Sequence, residues 1–153
     1  LTTIVGMFYG AKEFDKLLSV VNYGINRAVL ITTISVIFFF VLASNILPIF
    51  SSNPLVIDIG VTYLKIIILV YPAVGISVIC SRVCQALGQG MPLLITTITR
   101  VIILTAPLSY YFYFTGRPIE WVWFSQVFAI LIAATISFAW MRYYFRKLNI
   151  VRN

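Results

Sequence analysis

The 153-residue chain is too apolar and too poor in charge to fold as a soluble globular domain: it is 61% hydrophobic and 10% charged, with a mean hydropathy of +1.03. Soluble domains average about 25% charged residues. The net charge of +7 is compatible with nucleic acid or with a membrane surface, and the long apolar runs described below favour the membrane.

Residues 1–27 predict the end of a preceding membrane helix followed by an amphipathic connector. Leu1–Tyr9 is too short to span a bilayer and lacks the flanks of a signal peptide, so we expect a fragment of a longer protein. Within residues 11–27, apolar residues such as Leu17 and Val21 recur at helical spacing opposite polar ones. We expect this helix to lie along the cytoplasmic interface and bend into the first span; a solvated connector is the alternative.

Four apolar segments follow, each long enough to cross about 30 Å of hydrocarbon as a helix. The expected spans are Ala28–Phe50, Val61–Ser81, Leu93–Thr115 and Trp121–Met141. Residues 28–141 therefore predict a four-helix transmembrane bundle, and residues 142–153 predict a basic cytoplasmic tail. The fold class is an all-α integral membrane protein with an N-terminal amphipathic helix.

Basic residues concentrate at one end of this predicted bundle. Nine of the eleven Lys and Arg residues fall there: Lys12, Lys16, Arg27, Arg82, Arg100, Arg142, Arg146, Lys147 and Arg152. The positive-inside rule makes that end cytoplasmic. We therefore expect a multi-pass protein of the cell membrane with a cytoplasmic carboxyl terminus. Contact with anionic headgroups explains the tail better than nucleic-acid binding does.

Residues that carry enzymatic or metal chemistry are sparse. The chain has no His, and its four acids, Glu13, Asp15, Asp58 and Glu120, lie at or outside the predicted helix ends. Neither a nucleophile with a base nor a metal site within the bilayer can be assembled from these residues. Cys80 and Cys84 are expected to be small packing residues, since their spacing differs from that of zinc sites. We predict neither an enzyme nor a metal site.

Helix breakers and polar residues within the spans mark a candidate substrate pathway. Pro72 and Pro107 each remove a helical hydrogen bond in mid-span and predict kinks. Arg100 either anchors the third span at the interface, faces an aqueous pathway, or pairs with a carboxylate from a missing part of the protein. The candidate pathway residues are Arg100, Gln126, Tyr71 and Thr105. For each polar residue of the third and fourth spans taken alone, helix packing is the favoured explanation.

Four motifs in register resemble the multidrug and toxic compound extrusion (MATE) family of secondary transporters. They are Val5–Lys12, Phe50–Ile57 leading to Ile59–Ile66, Gln85–Pro92, and Arg100 with Ala106–Tyr110. Their order and separation match one six-helix lobe of that family from the end of its second helix to its sixth. The basic tail, with no further span after it, resembles the end of the carboxyl-terminal lobe.

The resemblance implies a twelve-span, two-lobe protein that exports small cationic or amphiphilic drugs or metabolites in exchange for Na⁺ or H⁺ by alternating access. It implies no cofactor, and its implied partners are the lipid bilayer, the remainder of the transporter and the substrate. The chain departs from the family at Met7 or Phe8, where Gln is usual, and at Gln89, where an acid often stands. Because the four predicted spans contain no acid, the coupling residues are expected in the missing remainder, unless this member is divergent.

Two alternatives stay open at this stage. A flippase for lipid-linked oligosaccharides would share the fold, and Arg82 and Arg100 pointing into a large cavity would favour it. A non-transporting membrane subunit would use the same helices for assembly alone.

Overall fold

The computed structural model describes residues 1–152, and the side chains of residues 1–148. Within that part of the chain all regular structure is helical, which confirms the predicted all-α fold class. The elements are α1 (Thr2–Gly10), α2 (Phe14–Phe50), α3 (Pro54–Ile68), α4 (Tyr71–Ala86), α5 (Met91–Ile98), a π-helical segment (Thr99–Thr105), α6 (Ala106–Phe114) and α7 (Glu120–Arg152).

The number of membrane crossings agrees with the prediction. Three helical stretches of the described chain are long and apolar enough to span: Phe14–Phe50, Met91–Phe114 and Glu120–Leu148. The bent pair of α3 and α4 supplies a fourth crossing when it is taken as one span. The structure therefore contains up to four spans.

The helix that contains the first predicted span begins before that span. Helix α2 is 37 residues long and runs from Phe14 to Phe50 without a helix boundary between the connector and the span. Leu17 and Val21, on the apolar stripe of the connector, are buried in the same helix as Ala43 of the span. The apolar stripe of the connector therefore continues in helical register into the span, within one helix.

The second span is broken into two helices. Asn53 caps α3, its side-chain Oδ1 accepting a hydrogen bond from the Leu55 N–H at 3.0 Å. α3 ends at Ile68, and α4 begins at Tyr71 after a two-residue break with a 49° bend. Pro72 lies in the first turn of α4, where a missing N–H donor costs nothing.

The third span changes its hydrogen-bond register in the middle. α5 is followed by the π-helical segment Thr99–Thr105, where the Ala106 N–H donates to the Val101 carbonyl five residues earlier. Pro107 comes next and has no N–H to offer, and its ring would clash with the carbonyl four residues back in a regular helix. The wider π turns therefore end at Thr105, two residues before the proline.

The last helix continues past the predicted end of the fourth span at Met141. α7 runs from Glu120 to Arg152 and so includes most of the predicted basic tail. Phe145 is buried and Tyr144 and Leu148 pack beside it, which extends the apolar stripe by two turns. The side chain of Arg152 and residue Asn153 lie outside the described part of the chain.

A tightly packed cluster joins the helices at the end of the bundle that carries most basic residues, and we call it the inner core. Its buried members come from α1, α2, α4, the turn after α4, and α7: Val5, Leu17, Val21, Cys80, Val83, Cys84, Leu87, Met141 and Phe145. Helix α4 contacts both α2 and α7. Cys80 and Cys84, 0% and 1% exposed, are packing residues within this core.

The turn between α4 and α5 contains the third of the sequence motifs. Gly88 has a φ of +80°, a conformation that glycine adopts without strain. The Gln89 N–H donates to the Cys84 carbonyl at 2.9 Å, and the Gly88 N–H to the Gln85 carbonyl at 3.1 Å. These bonds satisfy the last carbonyls of α4 and reverse the chain into α5.

Candidate functional site

Four hydroxyl groups meet between α4, α5 and α7, and we call them the hydroxyl cluster: Ser77, Ser81, Thr96 and Ser137. The Ser137 Oγ lies 3.2 Å from the Ser77 Oγ, 3.2 Å from the Thr96 Oγ1 and 3.5 Å from the Ser81 Oγ. Ser81, Thr96 and Ser137 are buried. The cluster therefore links three helices through hydroxyl groups that are mostly buried and that need hydrogen-bond partners.

Geometry fixes the direction of the hydrogen bonds in this cluster. The Thr96 hydroxyl donates to the Pro92 carbonyl at 2.6 Å, and a hydroxyl has only one hydrogen to give. Thr96 must then accept from Ser137, and Ser137 must accept from Ser77. The Ser81 hydroxyl, at 3.5 Å, makes the longest of the three contacts with Ser137 and is the least committed donor.

A cavity of about 100 Å³ lies beside the hydroxyl cluster, between α4, the third span and α7. Its lining includes Ser77, Ser81 and Thr96 from the cluster, together with Thr97 and Arg100. Thr97 donates its hydroxyl to the Leu93 carbonyl at 2.8 Å. The cavity is therefore polar on one side and carries one positive charge.

Arg100 brings that charge deep into the third span. It lies nine residues after Met91, the first residue of α5, or roughly 13 Å along the axis at about 1.5 Å per residue. No carboxylate of the described side chains lies within salt-bridge distance of Arg100; the ion pair in that part of the chain joins Lys16 to Glu13. Arg82, by contrast, is exposed and donates to the Gln85 side chain at 3.1 Å.

The other predicted pathway residues are distributed unevenly around this cavity. Thr105 is joined to Arg100 through the backbone, because its hydroxyl donates to the Arg100 carbonyl at 2.8 Å. Tyr71 is exposed at the start of α4, and Gln126 lies on α7 two turns before Ala133, the α7 residue of the cavity. Of the four candidates, only Arg100 lines the cavity.

The two predicted kink residues lie close to irregular points of the spans that border the cavity. Pro72 is the second residue of α4 after the 49° bend between α3 and α4, and Pro107 is the second residue after the π-helical segment. Ser77 lies less than two turns from the first, and Arg100 lies within the second. Both irregularities therefore adjoin the helical segments that line the cavity.

Two members of the hydroxyl cluster, Ser77 and Ser81, were not among the residues singled out from the sequence. Their four-residue spacing places them on one face of α4, and that spacing is the signal in the sequence. Thr96 and Ser137 belong to the polar residues of the predicted third and fourth spans, which are expected to pack helices or to line a polar cavity. In the described residues, no group of three His, Cys, Asp or Glu side chains is arranged to hold a metal ion.

Solved structures of transporters have the same fold over almost the whole chain. An inward-facing and an outward-facing multidrug resistance MATE family transporter of the MOP superfamily match with TM-scores of 0.88 and 0.87, each 24% identical over 97% of this chain. A MOP superfamily transporter from Pyrococcus furiosus, described as having a binding pocket of reverse polarity, matches at 0.88 with 25% identity over 97% of this chain. This chain covers 34% of each of those chains.

The chain spans about a third of the length of the transporters that it resembles in structure. No curated protein matches it in sequence. The MatE family model matches residues 1–111, from α1 into α6. That match covers well over half of the sequence and includes all four motifs, so the chain belongs to the MatE family.

Proposed function

We propose that this chain is the carboxyl-terminal part of a secondary active antiporter that exports cationic or amphiphilic drugs or metabolites in exchange for Na⁺ or H⁺. The observation that carries the proposal is membership of the MatE family. Similarity to both an inward-facing and an outward-facing transporter supports alternating access as the mechanism. The lipid bilayer and the remainder of the transporter are the partners that such a function requires.

The irregular helices supply the places where such a protein can change shape. The bend between α3 and α4 and the π-helical segment of the third span both leave backbone outside a regular α-helical register. Substrate or ion binding shifts the equilibrium between conformations only through a difference in affinity for them. We propose that movement at these two points, next to Pro72 and Pro107, alters the access of the cavity.

The coupling ion is proposed to bind residues outside this chain. The residues that line the cavity include Arg100 but no carboxylate. A nearby positive charge weakens the binding of Na⁺ or H⁺ to an oxygen atom, so this cavity is a poor site for either ion. Carboxylates of the remaining spans would supply that site.

Transport by the full-length protein in proteoliposomes tests the main proposal. With ethidium as an organic cation, we expect flux that depends on an imposed Na⁺ or H⁺ gradient and that stops when an ionophore collapses the gradient. Liposomes without protein are the control. Ethidium flux that depends on neither the Na⁺ nor the H⁺ gradient would contradict antiport. The absence of any ethidium flux would favour a subunit that serves assembly alone.

Membrane orientation is a separate part of the proposal and has a separate test. Positive residues at the inner-core end support a cytosolic carboxyl terminus. In full-length protein with Cys80 and Cys84 replaced by Ala, Lys147→Cys should resist a membrane-impermeant maleimide added to intact cells. Arg117→Cys, in the turn at the opposite end of α7, should react. The reverse pattern would overturn the orientation.

A flippase for lipid-linked oligosaccharides remains the second candidate. Arg100 lines the cavity, as that function would favour, whereas Arg82 is exposed and pairs with Gln85. The charge at Arg100 is therefore what supports this candidate in the described part of the chain. Translocation of a fluorescent lipid-linked sugar in the same proteoliposomes would favour it over ion-coupled efflux.

A further inference from the structure

We propose that the cavity at Arg100 is a binding site for one carboxylate group, held by the Arg100 guanidinium and the Ser81 hydroxyl. The inference deepens the proposed transport function by giving the chemistry of one group bound inside this lobe. It rests on that function only for its place in a transport cycle. Binding itself is measured without transport, so the two proposals fail separately.

The charge of Arg100 is the first argument. Within the described residues the guanidinium has neither a carboxylate nor a hydrogen-bond acceptor as a partner, although Arg100 is half-buried and lies nine residues into the third span. Unpaired charges at that depth are costly and are found facing a water-filled cavity or a partner. The fixed fork of donors on Arg matches the two oxygens of a carboxylate.

The hydroxyl cluster supplies the second argument. The hydrogens of Thr96, Ser137 and Ser77 are committed along a chain that ends at the Pro92 carbonyl, and the Thr97 hydrogen bonds to the Leu93 carbonyl. Ser81 is the exception, since its hydroxyl lies 3.5 Å from Ser137 and also lines the cavity. Rotation of this hydroxyl about its C–O bond would free a second donor in the cavity that Arg100 also lines.

The charge of the cavity limits the kind of ligand that it can bind, and its volume shows that a small group fits. A cavity of about 100 Å³ is large enough for several waters or for a small ligand group. A single Arg without a second cation nearby balances a monoanion, whereas a phosphate dianion is better matched by several positive groups. A carboxylate is a small monoanion, and its two oxygens match the donor fork of Arg.

Two sources can supply that group: a carboxylate on a small molecule, or an Asp or Glu side chain from the rest of the transporter. Acetate, added to purified full-length protein in exchange for chloride at constant ionic strength, separates them. If the site takes a small molecule, the melting temperature rises saturably with acetate, as expected for a ligand of the folded state. We expect Arg100→Gln to weaken the apparent affinity at least tenfold.

If the carboxylate is part of the protein, wild-type melting does not respond to acetate, but Arg100→Gln lowers the melting temperature by several degrees more than Arg82→Gln does. Arg82→Gln is the matched control because Arg82 is exposed and outside the cavity. Either of these patterns supports the site. Ser81→Ala and Arg100→Lys are milder variants, each expected to weaken acetate binding two- to fivefold or to give a smaller loss of melting temperature.

Three results would overturn the proposal. The first is an unresponsive wild type in which Arg100→Gln melts like Arg82→Gln. The second is an acetate effect of the same size in wild type, Arg100→Gln and Ser81→Ala, which would place acetate elsewhere. The third applies if Arg100→Gln does not fold. In that case an unchanged acetate affinity in both Ser81→Ala and Arg100→Lys would overturn the proposal.

Discussion

The inner core and the outer part of the third span are packed in very different ways. In the inner core, nine side chains from α1, α2, α4, α7 and the turn after α4 are buried against one another. From Thr99 to Phe114, through the π-helical segment and α6, no side chain is buried. One end of this lobe is thus fixed by interlocked side chains, while the third span is held mainly along one side by α7.

From this difference we expect the inner core to be rigid and the outer part of the third span to be more mobile. A side chain in a well-packed cluster cannot shift without its neighbours, and so the inner core resists deformation. The third span combines few buried contacts with an irregular backbone, which are features of segments with low local stability. Arg100 lies in that segment, so movement of the segment would change the cavity that it lines.

The largest expected effect comes from deleting volume in the inner core. Leu17 is 1% exposed, and Leu17→Ala should lower the free energy of unfolding by about 2–5 kcal/mol because it leaves a cavity. Leu94→Ala is the matched control on α5, where the side chain is 55% exposed, and it should cost less than about 1 kcal/mol. Unfolding of full-length protein in mixed micelles measures both. Equal losses would contradict the comparison.

The second prediction concerns the backbone of the third span. Pro107→Ala restores an N–H donor and removes the ring, so the third span should shift toward regular α-helix and lose mobility. We expect efflux by the full-length protein to fall about tenfold, or about 1.4 kcal/mol in the activation barrier. Pro118→Ala, in the turn before α7, is the control and should leave efflux unchanged. Normal efflux in Pro107→Ala would remove this proline from the mechanism.

A smaller effect is expected at the hydroxyl cluster, where α4 and α7, which also contribute to the inner core, meet the third span. Ser137 contacts Ser77, Ser81 and Thr96 on two other helices, and Ser137→Ala should cost about 1 kcal/mol of stability. Ser35→Ala is the same change at a hydroxyl that bonds only within its own helix, to the Ile31 carbonyl, and should cost less. A double-mutant cycle of Ser137→Ala with Thr96→Val measures the contact, and zero coupling would exclude it.

The smallest effect is expected where α4 crosses α2. A Cβ added to Gly75 would lie 3.3 Å from the Thr32 Cγ2, so Gly75→Ala loses part of the gain in helix propensity that Ala normally gives. Gly6→Ala, whose new Cβ would meet its nearest neighbour at 3.9 Å, should keep that gain of up to about 1 kcal/mol. We expect Gly6→Ala to be the more stable by a few tenths of a kcal/mol in thermal unfolding. The opposite order would mean that α2 and α4 can move apart easily enough to accept the added methyl group at Gly75.

The sequence was sufficient for the fold class and for the number of spans, because apolar length and flanking charge are properties of single segments. It did not show that α2 is continuous, since Leu17 and Val21 are buried by residues far away in the chain, in α4 and α7. The π-helical segment was also missed. A proline predicts that a helix is disturbed, but the surrounding packing decides whether the disturbance is a bend or a wider turn.

The candidate site was predicted only in part for a related reason. Arg100 stood out because a charge inside an apolar run is rare whatever its neighbours are. Ser77 and Ser81 did not, since a serine in a span is equally compatible with helix packing and with a polar cavity. Only the positions of Thr96 and Ser137 on two other helices show that these hydroxyls form one cluster.

The continuity of α2 has a mechanical consequence. At about 1.5 Å per residue, its 37 residues make a rod of roughly 55 Å, which is far longer than the ~30 Å of hydrocarbon it has to cross. The surplus acts as a lever arm: if the rod stays straight, a swing of about 10° in the lipid displaces one tip relative to the other by roughly 10 Å. Spin labels near Asp15 would therefore report rearrangements that take place deep within the bilayer.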